Sequence, residues 1–497
     1  ALYGSRAGNG VVLITTKTKG GKGLGISVNS SYVSDIPYKY LPVQNKFGTG
    51  KSGAHVFEEG ENETWGPQLD DGFQAVQWNS KGQKIPLVSY PNRFKDFFQN
   101  GQTFNNNGSV SGNSDKGSFR LSVGDVRSTG IIPNTNLKRS TINLNTTYNL
   151  SKKLSVTGSF NWNESGSDNR PNVDGDDRND IVRSLYEKGS QVNILDLKNY
   201  WVPGLEGTKQ LTNASKQNNV WFLANENTNS FKRDRLISKV QMDWEITNEF
   251  KLTGRFSRDA YEESLESKRA FSTYGQTAGG YDITNRNRKE TNLELNLTYN
   301  KKIGKDWSLY ALAGGNRMYQ YGRAMDNYAS QLVIPELYTI SNGVPGTVTY
   351  NSSSSQKAIY SIYGMGSIGY KDMVYLEVTG RNDWSSTLPI ENRSYFYPSG
   401  SLSVLLSKMF TMPDWVTFLK LRGGIAEVGN DTNPYALYQY FSVGQDWGTA
   451  KELYMGGSLK NPTLIPERAL SKEVGADVRL FNDKIGLNVT YYVSGNK

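Results

Sequence analysis

The chain has 497 residues, 36% hydrophobic and 12% aromatic, with no cysteine, which excludes a disulfide framework and any thiolate metal site. Its 56 Lys+Arg against 47 Asp+Glu leave a formal charge of +9, but the basic residues are scattered rather than striped, which argues against nucleic-acid binding. One histidine, His55, and no G-x-S-x-G elbow leave little machinery for an enzyme, and no apolar run is long enough for a transmembrane helix, although a β-barrel would leave none.

The chain opens on ALYGSRAGNGVVLITTKTKG, where small residues run into the β-branched stretch Val11–Thr16, as if part-way through an element. No leader is visible, so a fragment or a mature chain is expected. Residues 22–34 then begin a series of about fifteen segments that read as strands. The others are 103–112, 116–127, 138–150, 153–164, 232–247, 250–261, 288–301, 306–320, 356–370, 373–382, 398–408, 416–428, 469–481 and 484–494. Their mark is strict alternation, as in Leu154-Ser155-Val156-Thr157-Gly158-Ser159-Phe160 and Phe250-Lys251-Leu252-Thr253-Gly254-Arg255-Phe256. Successive strand side chains face opposite ways, so each segment has one apolar and one polar face.

Between the first two strands lies Phe47-Gly48-Thr49-Gly50-Lys51-Ser52-Gly53. It lacks the first glycine of a phosphate loop, Asn45 standing there, and reads as a Gly-rich surface loop. Further along, Asp174-Gly175-Asp176-Asp177-Arg178-Asn179-Asp180 is a solvated acidic loop or, less favoured, a hard-cation site through Asp174, Asp176, Asp177 and Asp180. Trp65, Trp78, Trp201, Trp221 and Trp447 fall on long connections. They either stack on a substrate or lid, or form small cores that hold the loops together.

The connections decide the architecture. Short, Asn/Asp/Lys-rich links alternate with the long ones 35–102, 165–231, 262–287, 321–355 and 429–468. In an antiparallel meander all the long links share one end, as in an outer-membrane barrel with short periplasmic turns and long extracellular loops. Tyr148, Trp244, Trp307 and Trp415 sit beside the short turns, where an interfacial aromatic girdle belongs. The expected fold is an all-β transmembrane antiparallel barrel. Leu154, Val156, Phe160, Leu252 and Phe256 would meet lipid; Ser155, Thr157, Lys251, Thr253 and Arg255 would line a hydrated lumen.

The opening motif (Tyr3, Gly4, Ser5, Arg6, Asn9, Gly10) resembles the end of the plug domain in TonB-dependent outer-membrane transporters of the SusC/RagA-like family. Asn218-Asn219-Val220-Trp221-Phe222-Leu223-Ala224-Asn225-Glu226-Asn227 is similar to a loop motif of that family. Arg381-Asn382-Asp383-Trp384-Ser385-Ser386, with Asn392-Arg393-Ser394-Tyr395-Phe396-Tyr397-Pro398-Ser399, resembles its mid-barrel signature. Leu419–Gly424 with Gly429-Asn430, and Asn461–Glu467, resemble later landmarks. The resemblance implies a barrel of roughly 22 strands with a plugged lumen, residues 1–21 being the end of the plug with its hinge and 22–497 part of the barrel. It implies TonB-energised import of oligosaccharides or oligopeptides, without cofactor or covalent chemistry. The implied partners are a SusD-like surface lipoprotein, TonB acting on a box N-terminal to the plug, and outer-membrane lipid and lipopolysaccharide. Pairs of transporter–lipoprotein units are implied too, and no nucleic acid. The sequence is expected to be part of a longer protein. Loop aromatics favour glycans slightly, and Lys251, Arg255, Glu377 and Arg381 favour peptides slightly. A scaffold or adhesin barrel and a passive porin stay open as rivals.

Overall fold

The computed structural model describes Gly4, residues 23–173 except 52 and 54, and residues 179–497. Strand β1 (Gly23–Asp35) leads through a small hairpin, β2 (Gln74–Val76) with β3 (Lys84–Pro86), to helix α1 (Arg93–Phe97). Four strands follow in quick succession: β4 (Gly101–Ser114), β5 (Gly117–Thr129), β6 (Asn136–Asn149) and β7 (Leu154–Ser167). Helices α2 (Ile181–Tyr186) and α3 (Val220–Asn225) precede β8 (Asn229–Glu245). The longest strands come next: β9 (Phe250–Thr273), β10 (Gln276–Ile303), β11 (Trp307–Ala329) and β12 (Val348–Tyr370). Then come β13 (Val374–Ser385), β14 (Ser394–Leu405), α4 (Leu406–Met409) and β15 (Val416–Asn430). A second hairpin, β16 (Phe441–Trp447) with β17 (Ala450–Met455), leads to β18 (Glu467–Leu480) and β19 (Ile485–Asn496).

All strands outside the two hairpins join one 15-stranded sheet in chain order, with β1 and β19 at its edges. Every neighbouring pair is antiparallel, for instance Leu297 opposite Ala313 and Leu252 opposite Leu297. The sheet is a meander, so its short turns lie at one end and its long connections at the other.

The alternation is inverted relative to a water-soluble sheet. On β10, Leu293 and Leu295 are each 56% exposed, while Glu294 between them and Asn296 after them are half-buried. On β13, Leu376 and Val378 are exposed while Glu377 and Thr379 are half-buried. Leu121 and Val123 of β5 repeat the pattern. A continuous apolar exterior over a polar interior is the arrangement that lipid stabilises and water does not. Tyr148, Trp244, Trp307 and Trp415 are all exposed at the short-turn end. Trp307 meets Tyr370 with ring centroids 4.6 Å apart, and Phe250 meets Tyr299 at 4.8 Å, so aromatic pairs reinforce the girdle across strands.

Two of the long links are shorter than expected. The segment 262–287 is no loop: β9 continues to Thr273, turns at Tyr274-Gly275, and returns as β10 from Gln276. Likewise 321–355 contracts to a connection over 330–347. Beyond the apolar band both faces of a strand are wet, so the period-two signal vanishes although the backbone ladder continues. Here ion pairs span the strands instead, Arg233 of β8 and Arg286 of β10 both reaching Glu263 of β9.

At the long-link end, the connections after β1 and β7 fold together into a cap with its own dry core. Phe94 and Phe97 of α1, Ile181 and Leu185 of α2, and Phe222 and Leu223 of α3 belong to one buried cluster. The wall is therefore crowned by packed structure, not by loose loops.

Candidate functional site

The polar faces of the strands carry cross-linked charges. Lys251 pairs with Asp243 at 2.9 Å and Arg255 with Glu294 at 3.1 Å, while Thr253 donates to Asp243 at 2.7 Å. Higher on the same face, Lys357 pairs with Asp431 at 2.6 Å, and Ser385 and Thr387 donate to the same carboxylate. Cations and carboxylates are interspersed, so this face presents both signs of charge at close range.

The tightest cluster comes from the two halves of the mid-barrel motif. Arg381 and Asp383 are two residues apart on β13 and so share a face. Arg381 Nε donates to Asp383 Oδ1 at 2.8 Å, and its Nη2 donates to Ser361 Oγ at 2.7 Å. The guanidinium carbon lies 4.9 Å from the Tyr363 ring centroid. Tyr397 of β14 donates its hydroxyl to Asp383 Oδ2 and stacks on Tyr395, with centroids 5.9 Å apart. Asp383 is 1% exposed. Gly429 closes against Tyr395: a Cβ at residue 429 would lie 2.5 Å from that ring, so only glycine lets the two meet.

Gly4 lies on this cluster. It is buried with φ +84°, a left-handed conformation that glycine adopts readily. A Cβ there would sit 3.1 Å from Arg381 Nη2, so Gly4 lies directly against the guanidinium.

In the cap, Asn219 is the N-cap of α3. Its Oδ1 accepts from the amides of Trp221 (2.8 Å) and Phe222 (3.5 Å), and its Nδ2 donates to the carbonyls of Leu197 and Leu211, both at 2.7 Å. Asn218 Oδ1 accepts from the Tyr274 amide at 2.8 Å, and Asn227 Oδ1 from the Ala270 amide at 2.9 Å. The cap is thereby tied to the tip of the β9–β10 hairpin.

A model of the family described as "TonB dependent receptor-like, beta-barrel" matches residues 168–494. The chain belongs to that family. It is an outer-membrane β-barrel, and the family is one of receptors, not of enzymes. TonB-dependent receptor P3 of Formosa agariphila is 24% identical over 511 residues, covering 99% of this chain and 47% of that protein. TonB-dependent receptor P26 of the same organism is 23% identical, over 99% and 48%. The chain thus spans about half the length of the curated relatives it matches. The solved RagAB peptide transporter superposes with a TM-score of 0.78 at 19% identity, covering all of this chain and 57% of the transporter chain. The chain shares the fold of that transporter chain over its whole length.

Of the opening motif, Gly4 alone is among the described residues; Tyr3, Ser5, Arg6, Asn9 and Gly10 lie outside them, as do Asp174, Asp176 and Asp177. Asp180 is the N-cap of α2, accepting from the Arg183 amide at 2.8 Å. The five loop tryptophans divide. Trp221 is buried and donates Nε1–H to the Ile194 carbonyl at 2.8 Å, while Trp78 and Trp201 pack on the cap core. Trp65 (63% exposed) and Trp447 (88%) keep open ring faces. The Arg-x-Asp spacing of 381 and 383 within the mid-barrel motif is the same-face signal in the sequence that points to this cluster.

Sequence gives no signal for Lys188, which is fully buried in the cap of this receptor and donates Nζ to Gln217 Oε1 at 3.0 Å. Burial pushes its ammonium down to about 7. Glu59, which accepts from the Trp78 amide at 2.7 Å, is pushed up to about 7 by burial. A depressed lysine contributes stability at high pH that is lost as pH falls through the folded value. The raised carboxyl contributes stability at low pH that is lost as pH rises through its own. The two contributions meet at their minimum near neutrality. Lys188→Met is expected to raise the cap's resistance to proteolysis at pH 7. Its advantage should shrink towards pH 10, by roughly 1.4 kcal/mol per pH unit at most. Limited proteolysis of the folded barrel at pH 7, 8.5 and 10 checks this; an advantage independent of pH would show that Lys188 is not neutral in the fold.

Proposed function

We propose that this chain forms the wall and outer cap of a TonB-energised importer of oligomeric solutes, oligopeptides first. The observation that carries the reading is the contact of Gly4, a residue N-terminal to the first strand, with Arg381 of a buried charged cluster on the polar wall. A passive porin or a plain scaffold barrel has no use for such a contact. On this reading residues 1–21 end a plug, residues 22–497 form barrel, and the long connections face outward from the cell. A surface lipoprotein of the SusD type would close over the cap. Solute would bind among cap, lid and plug, and force transmitted through TonB would draw the plug from Arg381 and open the lumen. No covalent bond changes.

Peptide is favoured because the wall presents paired cations and carboxylates, which match a zwitterionic backbone with charged side chains, and because three of the five loop tryptophans are occupied in packing. The RagAB fold neighbour is itself a peptide transporter. Oligosaccharide is the second reading, resting on the open rings of Trp65 and Trp447. The test is isolation of the native assembly from outer membranes with mass spectrometry of what accompanies it. A co-purifying lipoprotein with bound peptides supports the proposal; a barrel isolated alone, without ligand, overturns it. Trp65→Ala with Trp447→Ala should leave peptide uptake within about twofold of wild type, whereas loss of ring stacking costs a sugar importer about 1–3 kcal/mol per stacked ring if stacking on sugars resembles stacking on bases.

A further inference from the structure

The polar face of the sheet changes character between β7 and β8. Residues opposite one another in the ladder share a face, and Ser109, Ser122, Asn143 and Asn161 form one such row across β4, β5, β6 and β7. Ser122 lies between Leu121 and Val123, which are exposed on the other face, so the row crosses the wall within the apolar band. Contacts around it join neutral groups. Ser159 donates to Asn145 Oδ1 at 2.7 Å, Asn161 donates to Asn143 Oδ1, and the hydroxyls of Thr147 and Thr157 are 3.2 Å apart.

Among the described residues, Arg120 and Arg139 are the only charged side chains on this face of the four strands. The carboxylates of these strands, Asp125 and Glu164, fall on the outward rows of Val123 and Phe160. Arg120 stands opposite Asn145 near the short turns. Arg139 is six residues from Asn145 along β6, about 20 Å, towards the long connections. The two cations mark the ends of an uncharged stretch.

The same face of β8–β13 is built differently. Lys251 with Asp243, Arg255 with Glu294, and Glu263 between Arg233 and Arg286 tie strand to strand. Gly4, the one described residue before β1, lies on this side, against Arg381 of β13. In the sheet β13 is six strands from β7, about 29 Å. A charge-paired wall holds what touches it through strong, directional bonds, whereas hydroxyls and amides make weaker ones. Passage needs contacts weak and repeated enough to be left again.

We propose that the β4–β7 face is the path that solute takes along the wall, and that its two arginines make it a path for anionic peptides. This rests on the import function proposed above. What must yield is then held on the β13 side, and the space for solute opens against β4–β7. Ser and Asn side chains offer both donors and acceptors, so they match a peptide backbone whichever way it runs. A peptide advances by exchanging such bonds, its carboxylates meeting Arg139 first and Arg120 last. A peptide of net positive charge meets only like charge on this face.

The test uses the full-length protein in energised cells and two labelled peptides of equal length, one acidic and one basic, each carrying a benzophenone. The acidic peptide is expected to enter faster. R120Q/R139Q should lower the acidic-to-basic uptake ratio by about fourfold per arginine, the factor for two unit charges about 5 Å apart in water. R120K/R139K should keep the ratio near wild type. Irradiation during uptake by wild type should cross-link peptide to β4–β7, as read by mass spectrometry of the digested barrel. An unchanged ratio in R120Q/R139Q, with its β-sheet circular dichroism intact, overturns the selectivity. Cross-links to the strands that spare β4–β7 overturn the path while leaving import standing. A wild type that takes up neither peptide overturns the import function, and the path with it.

Discussion

Replacing Asp383 by alanine is expected to destabilise the folded barrel by about 3–5 kcal/mol, the cost of leaving a buried cation without its partner. Asp383 accepts from Arg381 Nε at 2.8 Å and from the Tyr397 hydroxyl, and at 1% exposure no water replaces either bond. Arg381 would keep Ser361 and the face of Tyr363, neither of which carries a counter-charge. Removing both charges together, as in R381M/D383L, should cost much less than Asp383→Ala alone, because no isolated ion is then left in the wall. Urea-dependent unfolding of the full-length barrel in micelles measures both variants. A single substitution within about 0.5 kcal/mol of wild type would mean that the lumen wets this cluster. The pair also bears on transport. Gly4 rests on Arg381, so the double variant keeps a folded wall while changing the surface that Gly4 meets, and the proposed uptake can then be compared at matched stability.

The same residues show what was legible beforehand. All fifteen strands of the sheet could be read because the membrane band imposes alternation on every one, and a period of two survives without any knowledge of partners. The extension of β9 and β10 above the band was not legible. There Glu262-Glu263-Ser264-Leu265-Glu266 is polar on both faces, and pairing depends on a register that only the neighbouring strands supply. The tryptophans illustrate a second limit. A ring on a long connection reads alike whether it packs inward, as Trp221 does, or stands open, as Trp447 does. The difference is decided by residues more than a hundred positions away in sequence, Phe97 packing edge-on to Trp221 at 5.0 Å. Lys188 lay furthest out of reach, since a lone lysine in a polar stretch is read as solvated.

Asn219→Ala is expected to be the most damaging single change in the cap, at about 3–5 kcal/mol. Asn219 is fully buried, and its side chain uses its whole hydrogen-bonding capacity. Loss of the helix cap accounts for about 1 kcal/mol. The carbonyl of Leu197, enclosed in the cap core, would lose a donor at about 1–3 kcal/mol, and that of half-buried Leu211 would lose one at the lower end of that range. Asn219→Asp is not a mild substitute: it keeps the acceptor for the Trp221 amide but sets a carboxylate against those two carbonyls, so it should be at least as damaging as alanine. The effect should stay local. The sheet is held by its own ladder, and the cap meets only its upper rim, as in Asn218 with Tyr274 and Asn227 with Ala270. Limited proteolysis should therefore cut the variant within residues 168–228 while the strands remain resistant. Equal protection of that segment in variant and wild type would show that the aromatic cluster alone holds the cap. Global loss of the barrel would show instead that cap and sheet unfold as one unit. A cap that melts by itself has a direct functional consequence. On the proposed import function the cap captures solute and the wall conducts it, so Asn219→Ala should abolish high-affinity capture while leaving a correctly inserted barrel in the membrane.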